Sequence, residues 1–211
     1  VSKFLLDKKD LGVHTEMLTE AMYELYQAGV ITNRKKTLYP GKFICAFVFG
    51  TQKLYDFVNN NPSVFVMSGS FTNDPYVLGK NSKMISLNAA LMVDLTGQVC
   101  SEAIGTRHYS GTGGQLDTHR GAVQSSINGL GGKGIIALRS TAKDGAVSKI
   151  VPVLPLGSPI TVPRQDVDYV VSEYGIAHLR GRTAAERTRA MIAIAHPDHR
   201  EELKKEARSM G

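Results

Sequence analysis

A continuous apolar run at residues 42–50 (KFICAFVFG) limits the folds open to this chain more than any other feature. The run has no polar alternation and stands between turn residues, which is typical of a buried strand. Further strands are predicted at residues 63–67, 134–139, 150–154 and 167–171, and one or two more within residues 83–95. The chain is therefore expected to build its core on several short, buried strands.

Helical segments are interspersed with these runs. Helices are predicted at residues 51–60, 183–195 and 198–209. The second of them opens with Thr183 and has Glu186 three residues later, which is the pattern of a capping box. Apolar strands with interspersed helices predict an α/β fold, an open layered sheet with flanking helices. Because no linker-like stretch divides the chain, we expect one domain over residues 1–211.

Composition narrows the class of protein. The chain has 211 residues, of which 42% are hydrophobic and 21% charged, which is enough for a substantial core. No apolar run approaches the roughly 20 residues that span a bilayer, and the first ten residues lack the apolar region of a signal peptide. We therefore expect a soluble, cytoplasmic protein without a membrane partner, in which Cys45 and Cys100 are reduced and structural.

The net charge of +6 suits a polyanionic partner. The basic residues are dispersed, however, there is no Trp, and no Lys/Arg run is interleaved with aromatic residues. This pattern favours a phosphorylated small ligand over nucleic acid. His196 and His199 lie on either side of a proline and have no evident third ligand, so no metal site is predicted.

Residues 12–29 (GVHTEMLTEAMYELYQAG) combine a short polar turn with an amphipathic helical pattern. The pattern predicts that Glu16 stands at the helix start, with Thr15 as the N-cap and Gly29 as the left-handed stop. The helix dipole would favour the ionised carboxylate there by about 0.3–1 kcal/mol. Glu16 is then either a nucleophile towards an activated acyl group or an ordinary capping residue, and spacing alone favours capping.

Several catalytic motifs are absent from the sequence. There is no Gly-x-Ser-x-Gly elbow, and residues 131–134 (GGKG) lack the first glycine and the Ser/Thr of a Walker A loop. Residues 109–116 (YSGTGGQL) lack the third glycine of the dinucleotide pattern, so a Rossmann fingerprint is not supported. As a bare loop, this segment is more typical of a turn than of a binding site.

Seven motifs, in the same order along nearly the whole chain, closely resemble the acetyl-CoA hydrolase/transferase family. They are residues 11–17 (LGVHTEM), 72–75 (TNDP), 86–99 (SLNAALMVDLTGQV), 101–105 (SEAIG), 109–117 (YSGTGGQLD), 131–141 (GGKGIIALRST) and 172–183 (SEYGIAHLRGRT). Within the family the motifs match best those of 4-hydroxybutyrate and butyrate:acetate CoA-transferases. The resemblance implies the CoA-transferase (NagB/RpiA-like) fold and identifies the chain as the C-terminal half of such an enzyme.

The resemblance also implies roles for single residues. Glu16 matches the glutamate that forms an acyl anhydride and then a glutamyl-CoA thioester, and Asn73 matches the amide that orients it. Positions that match those lying against coenzyme A are Asn88, Gly111, Gly113 and Gly114, and, with a weaker alignment, Arg107 and Arg139. Cys100 departs from the family, in which Asn is frequent at this position.

The function implied is transfer of CoA between an acyl-CoA and a short-chain carboxylate, with no metal. Two alternatives stay open at this point. The same glutamate can serve an acyl-CoA hydrolase in which water replaces the acceptor, and a chain without the N-terminal half can be a non-catalytic CoA-binding or assembly domain. The partners implied are acyl-CoA, the carboxylate, the N-terminal half and a second copy in a homodimer.

Overall fold

The computed structural model describes residues 1–210, which form two compact units. The first comprises Val1–Met84 and Gln124–Gly132, and the second comprises Ile85–Val123 and the residues from Lys133 onward. Both contain short parallel strands and helices, which confirms the predicted α/β class with open sheets and flanking helices.

The first unit is built from short elements. After a 3-10 helix at Ser2–Leu5 they are β1 (Met17–Thr19), α1 (Glu20–Gln27), β2 (Phe43–Cys45), β3 (Phe47–Phe49), α2 (Gln52–Val58), β4 (Val64–Val66), α3 (Gly69–Thr72) and α4 (Pro75–Leu78). β1 pairs with β3 and β2 pairs with β4, both in parallel. Parallel bridges also join Leu11 to Ile31 and His14 to Ile44. The predicted strand at residues 42–50 is thus present as two short strands.

The core of the first unit explains why its elements form. Phe43, Leu18 and Leu54 are fully buried, and Tyr26 and Phe57 pack against the same cluster. Leu54 is the buried residue of α2. Burial of a side chain of this size stabilises a fold by about 1.5–3 kcal/mol, which outweighs the weak propensity of such short elements.

The second unit contains the longer sheet and helices. Its elements are β5 (Ile85–Ala89), β6 (Met92–Asp94), β7 (Val99–Cys100), β8 (Ala103–Ile104), β9 (Arg107–His108), α5 (Gln115–Ile127, which belongs to the first unit from Gln124 onward), β10 (Lys133–Ala137), β11 (Thr141–Ala142), β12 (Val147–Ser148), β13 (Ile150–Val151), β14 (Tyr169–Ser172), β15 (Gly175–His178), α6 (Ala184–Ala193) and α7 (Arg200–Ser209), with a 3-10 helix at Pro197–His199. The main sheet has the order β15-β14-β10-β5. β5, β10 and β14 run parallel, and β15 is antiparallel.

In the second unit, one predicted feature is confirmed and one helix was not predicted. The capping box is confirmed, since the Thr183 N–H donates to Glu186 Oε2 at 2.8 Å and the Glu186 N–H donates to Thr183 Oγ1 at 3.3 Å. Helix α5, in contrast, was missed and lies within the glycine-rich centre of the chain. Its buried face includes His119 and Ser125, so the apolar periodicity that identifies a helix is absent from its sequence.

Candidate active site

Glu16 lies at a bend within a segment that pairs with neighbouring strands, immediately before β1. Helix α1 begins at Glu20 with Thr19 as its N-cap residue, so the predicted helix start at Glu16 with Thr15 as the cap is wrong. The Thr15 hydroxyl instead donates to the Met17 carbonyl at 3.3 Å. The predicted dipole stabilisation of the carboxylate does not apply, because that effect is confined to the first turn of a helix.

Backbone pairing with β2 and β3 is the reason that this segment is extended. The Thr15 N–H donates to the Ile44 carbonyl at 3.0 Å. The Glu16 carbonyl accepts from the N–H groups of Ala46 and Phe47 at 2.8 and 3.1 Å, where β2 passes into β3. We call residues 13–19 the Glu16 segment; its register against β2 and β3 fixes the backbone of Glu16.

A buried histidine lies two residues before Glu16. The His14 ring, 8% exposed, places Nε2 3.0 Å from the Thr72 carbonyl and Nδ1 3.3 Å from Asn81 Nδ2. Burial lowers the pKa of His14 to about 4, and the charge of Lys36 acts in the same direction. At neutral pH the ring is therefore uncharged.

The other side of the Glu16 segment is held by Asn33 and Lys36. Asn33 Oδ1 accepts from the Val13 N–H at 2.7 Å. Lys36 Nζ donates to the carbonyls of Val13 and Lys42, both at 2.7 Å, and burial lowers its pKa to about 8. A Cβ at Gly12 would stand 2.4 Å from Lys36 Cγ, so glycine leaves room for the lysine stem. Val13 is thus bonded at both of its backbone polar groups.

Asn73, the second predicted catalytic residue, is the C-cap residue of α3, and its N–H donates to the Gly69 carbonyl at 2.9 Å. Its side-chain Oδ1 is buried and has no hydrogen-bond partner within the described residues. The bond from His14 to Thr72 joins the Asn73 segment to the Glu16 segment. A contact between the Asn73 amide and the Glu16 carboxylate stays a prediction.

Asn88 lies on β5 in the second unit and is held by two hydroxyl groups. Its Nδ2 donates to Ser86 Oγ at 3.0 Å and to Thr118 Oγ1 at 3.3 Å. Thr118 is in the first turn of α5, where its hydroxyl also donates to the Gln115 carbonyl at 3.3 Å. The predicted CoA-binding amide is thereby tied to the start of the helix that follows the glycine motif.

The glycine loop, residues 109–114, is exposed except for Gly114. Gly113 has a φ of +57°, which favours glycine, and the Gly114 carbonyl accepts from the Thr118 N–H at 2.9 Å. Gly111 needs no left-handed φ, and a Cβ there would meet nothing within 4 Å. The protein's own packing therefore does not require glycine at position 111. The open space beside Gly111 leaves room for a ligand to approach the backbone closely.

The two predicted arginines are both exposed, at different places in the second unit. Arg107 is on β9, and its guanidinium lies 5.3 Å from the centroid of the Tyr109 ring, beside the glycine loop. Arg139 follows β10 at the carboxyl end of that strand. Carboxyl ends of parallel strands are the usual edge for ligands in open α/β sheets.

Charged groups surround Arg139 at this sheet edge. Ser140 donates to Glu173 through its N–H at 2.9 Å and its hydroxyl at 2.8 Å. Burial opposes ionisation of Glu173, but hydrogen bonds from its own N–H and from Ser140, together with the charge of Arg139, hold its pKa below the ordinary value. Burial lowers the pKa of Lys149, whose Nζ donates to the Ala90 carbonyl at 3.2 Å.

A family comparison decides the class of this chain. Residues 50–207 match the model of the acetyl-CoA hydrolase/transferase C-terminal domain, and this range is most of the chain. The chain belongs to the acetyl-CoA hydrolase/transferase family. The resemblance found in the seven motifs is thereby confirmed, as is the correspondence to a C-terminal part.

Curated relatives in the acetyl-CoA hydrolase/transferase family are similar over nearly the whole chain. The 4-hydroxybutyrate coenzyme A transferase of Clostridium kluyveri is 54% identical over 203 residues, which cover 96% of this chain and 46% of that protein. The succinyl-CoA:cyclohexane-1-carboxylate CoA transferase of Geobacter metallireducens is 49% identical over 210 residues, covering 100% of this chain and 47% of that protein. The chain thus spans about half the length of these relatives.

Comparison with solved structures confirms the CoA-transferase fold. RipA from Yersinia pestis superposes with a TM-score of 0.92 at 41% identity, over 99% of this chain and 46% of that one. A 4-hydroxybutyrate CoA-transferase from Porphyromonas gingivalis gives a TM-score of 0.83 at 43% identity, over 100% of this chain and 48% of that one.

Four supporting residues of the Glu16 segment were missed by the sequence reasoning. They are His14, Asn33, Lys36 and Asn81. The role of His14 could have been suspected from the sequence, since His14 lies in LGVHTEM, the same family motif that contains Glu16. The other three are far from that motif or look like ordinary polar loop residues, and nothing in their local sequence indicates burial.

Residues 1–210 contain no helix that is both long enough and apolar enough to cross a bilayer. In the same described part of the chain, no three or more His, Cys, Asp or Glu side chains are grouped so that they could hold a metal ion. Cys45 and Cys100 are buried free thiols in this structure, and burial raises the pKa of Cys45 to about 11. A thiol in such surroundings is chemically inert.

Proposed function

We propose that this chain is the C-terminal domain of a CoA-transferase, which moves coenzyme A between an acyl-CoA and a carboxylate of the acetate, butyrate or 4-hydroxybutyrate class. Five curated relatives named CoA-transferases are 43–54% identical to it, and a sixth is 28% identical. Two relatives named acetyl-CoA hydrolase are 28% and 26% identical. This difference favours transfer to a carboxylate over transfer to water.

The observation that carries the proposal is the restraint on Glu16. Its carbonyl accepts two backbone N–H groups, and the segment before it is bonded through His14 to Thr72, the neighbour of Asn73. A nucleophile held before the substrate arrives loses little further freedom in the reaction, and such restraint is worth up to about 7–11 kcal/mol of the barrier. The backbone of Glu16 is held in this manner.

The chemistry needs only the carboxylate and the thioester. The Glu16 carboxylate attacks the acyl-CoA carbonyl carbon, the C–S bond breaks, and the CoA thiolate leaves an acyl-glutamyl anhydride. The thiolate then attacks the glutamyl carbonyl carbon and releases the acyl carboxylate, which gives glutamyl-CoA. An acceptor carboxylate repeats the two steps in reverse, which regenerates Glu16 and predicts ping-pong kinetics.

Residues of the second unit have binding roles in this proposal. Backbone N–H groups of the glycine loop, with Gly111, Gly113 and Gly114, are suited to stabilise the oxyanion of each tetrahedral step, at about 3–4 kcal/mol per well-placed donor. Asn88, Arg107 and Arg139 are assigned to coenzyme A. Support for the loop comes from its exposure and from the open space beside Gly111.

The remaining assignments concern the whole protein. The N-terminal half of the relatives is proposed as a partner of this chain, because the chain matches 46% of the Clostridium kluyveri protein. A homodimer and a cytoplasmic location are proposed from the resemblance to the family. Light scattering on the full-length protein measures its oligomeric state, and we expect twice the mass of one full-length chain.

Mass spectrometry after incubation with acyl-CoA tests the proposed function. We expect a CoA adduct on the peptide that contains Glu16, and acetate-dependent turnover that exceeds hydrolysis. Glu16→Gln removes the nucleophile with little change of shape, so turnover should fall by at least about 10³-fold. Glu24→Gln, on the exposed face of α1, is the matched control and should keep wild-type activity.

Three outcomes separate the alternatives. Full activity in Glu16→Gln overturns the nucleophile assignment. An adduct that decays with water as fast as with acetate identifies a hydrolase. Turnover that requires addition of the N-terminal half, while the isolated chain still binds CoA, identifies this chain as a binding domain that depends on its partner for catalysis.

A further inference from the structure

The hydrogen bonds of His14 define its protonation state. Nε2 lies 3.0 Å from the Thr72 carbonyl, which can only accept, so Nε2 carries the proton. Nδ1 lies 3.3 Å from Asn81 Nδ2, which can only donate, so Nδ1 accepts. The same Nδ2 donates to the Leu78 carbonyl at 3.4 Å, which supports this orientation of the amide. His14 is therefore the neutral Nε2–H tautomer.

One ring thus connects three separate parts of the first unit. His14 belongs to the Glu16 segment, Thr72 ends α3, and Asn81 follows α4. The ring also stacks on Phe71, with centroids 6.4 Å apart and planes inclined by 21°. Thr72 and Asn81 are 58 and 67 residues from His14 along the chain, so the ring fixes contacts that no local element supplies.

We propose that His14, as the neutral Nε2–H tautomer, is a positioning residue that holds the backbone of Glu16 against the Thr72–Asn73 segment. The inference rests on the proposed function, since the purpose of the restraint is to aim the Glu16 carboxylate. Asn33 and Lys36 bond the opposite side of the segment through Val13. Loss of His14 would release one side only, which displaces Glu16 without unfolding the unit.

The kinetic consequence follows from the geometry of attack. A displacement of about 1 Å in a reacting group costs about 100-fold in rate. The hydrogen-bond partners of His14 are Thr72 and Asn81, neither of which reacts in the proposed steps, so substrate binding should depend on His14 little. We therefore expect an effect on the rate of glutamyl-CoA formation at saturating acyl-CoA and little change in the half-saturating concentration.

Two substitutions separate hydrogen bonding from packing. His14→Phe keeps a ring against Phe71 and removes both hydrogen bonds, and it should lower the rate of adduct formation by about 100-fold. His14→Gln keeps a donor for the Thr72 carbonyl and should recover the rate to within about tenfold of wild type. Leu25→Ala, in the buried face of α1, is the control for general loss of stability.

The experiment measures adduct formation on Glu16 by rapid-quench mass spectrometry in all four proteins, at saturating acyl-CoA. A His14→Phe rate equal to wild type overturns the inference. A Leu25→Ala rate as low as that of His14→Phe overturns it as well, because general destabilisation would then explain the loss. Failure of His14→Gln to exceed His14→Phe is the third contradictory result.

Absence of any adduct in the wild type would contradict the proposed function. In that case amide hydrogen exchange tests whether His14 positions the Glu16 segment. The Thr15 and Asn73 amides donate to Ile44 and Gly69, and both should exchange at least about tenfold faster in His14→Phe. The Ala28 amide, which donates to Glu24 at the end of α1, should not change. Unchanged exchange at Thr15 and Asn73 would overturn the inference independently of activity.

Discussion

In the Glu16 segment, the backbone groups of Val13, Thr15 and Glu16 are bonded to neighbouring strands or side chains, and His14 and Leu18 are buried. In the glycine loop, every residue except Gly114 is exposed. The two regions carry the proposed nucleophile and the proposed oxyanion donors, yet the chain restrains them very differently. The difference teaches that the chain's own contacts fix the backbone of Glu16, whereas residues 109–113 are left exposed to solvent.

The largest effect on stability is expected at Asn33, whose side chain bonds the Glu16 segment through Val13. Asn33 is 1% exposed, has a φ of 56°, and accepts the Val13 N–H at 2.7 Å. Asn33→Ala leaves that N–H unpaired and places alanine in a left-handed conformation, so the free energy of unfolding should fall by about 3 kcal/mol. Urea denaturation measures the change.

Asn60→Ala is the matched control for Asn33. Asn60 has a φ of 53° but is exposed, so its replacement should cost about 1 kcal/mol from backbone conformation alone. Equal losses in the two variants would show that the bond to Val13 contributes nothing. The restraint on the Glu16 segment would then be weaker than its contacts indicate.

The next effect is a pH dependence that belongs to the same segment. Burial lowers the pKa of His14 to about 4, whereas the unfolded ring titrates near 6.5. Between these values the unfolded chain binds the additional proton, so stability is complete above pH 6.5 and falls as the pH falls towards 4. The loss should reach about 2–3 kcal/mol in urea denaturation across this range.

His14→Gln should remove this part of the pH dependence, and His108→Gln, at an exposed position, should leave it unchanged. His119 is also buried with a lowered pKa, so some slope will remain in both variants. The difference between the wild type and His14→Gln isolates the Glu16 segment. Identical slopes in those two proteins would contradict the buried, neutral state of His14.

The smallest effects on stability are expected in the glycine loop. Gly113→Ala should cost about 1 kcal/mol, because alanine is strained at a φ of +57°. Gly111→Ala should change stability by less than about 0.5 kcal/mol, since its Cβ would meet nothing within 4 Å. Calorimetric titration with coenzyme A should nevertheless show about tenfold weaker binding to Gly111→Ala. Unchanged affinity would remove the loop from the proposed site.

The sequence was sufficient where local physics decides the structure. The apolar runs became strands, and Thr183 with Glu186 formed the capping box. Each of these features depends on residues that are close together in the sequence. The order of the seven motifs was also sufficient to identify the family from the sequence.

The sequence was insufficient where distant residues decide the structure. The helical pattern from Met17 was overridden, because His14 pairs with β2 and residues 17–19 pair with β3, about 30 residues away. The partners of His14 are 58 and 67 residues distant and have no local signature of burial. Helix α5 was hidden because His119 and Ser125 are polar residues in its buried face.

The central claim is that the Glu16 carboxylate exchanges oxygen with the acceptor during transfer. In the proposed steps an acceptor carboxylate attacks glutamyl-CoA, and the bridging oxygen of the anhydride stays on the glutamate when the thiolate attacks the acyl carbon. Turnover with acetate labelled with ¹⁸O, followed by peptide mass spectrometry, should therefore place ¹⁸O in the peptide that contains Glu16. Continued acetate-dependent turnover without label on Glu16 would contradict the account.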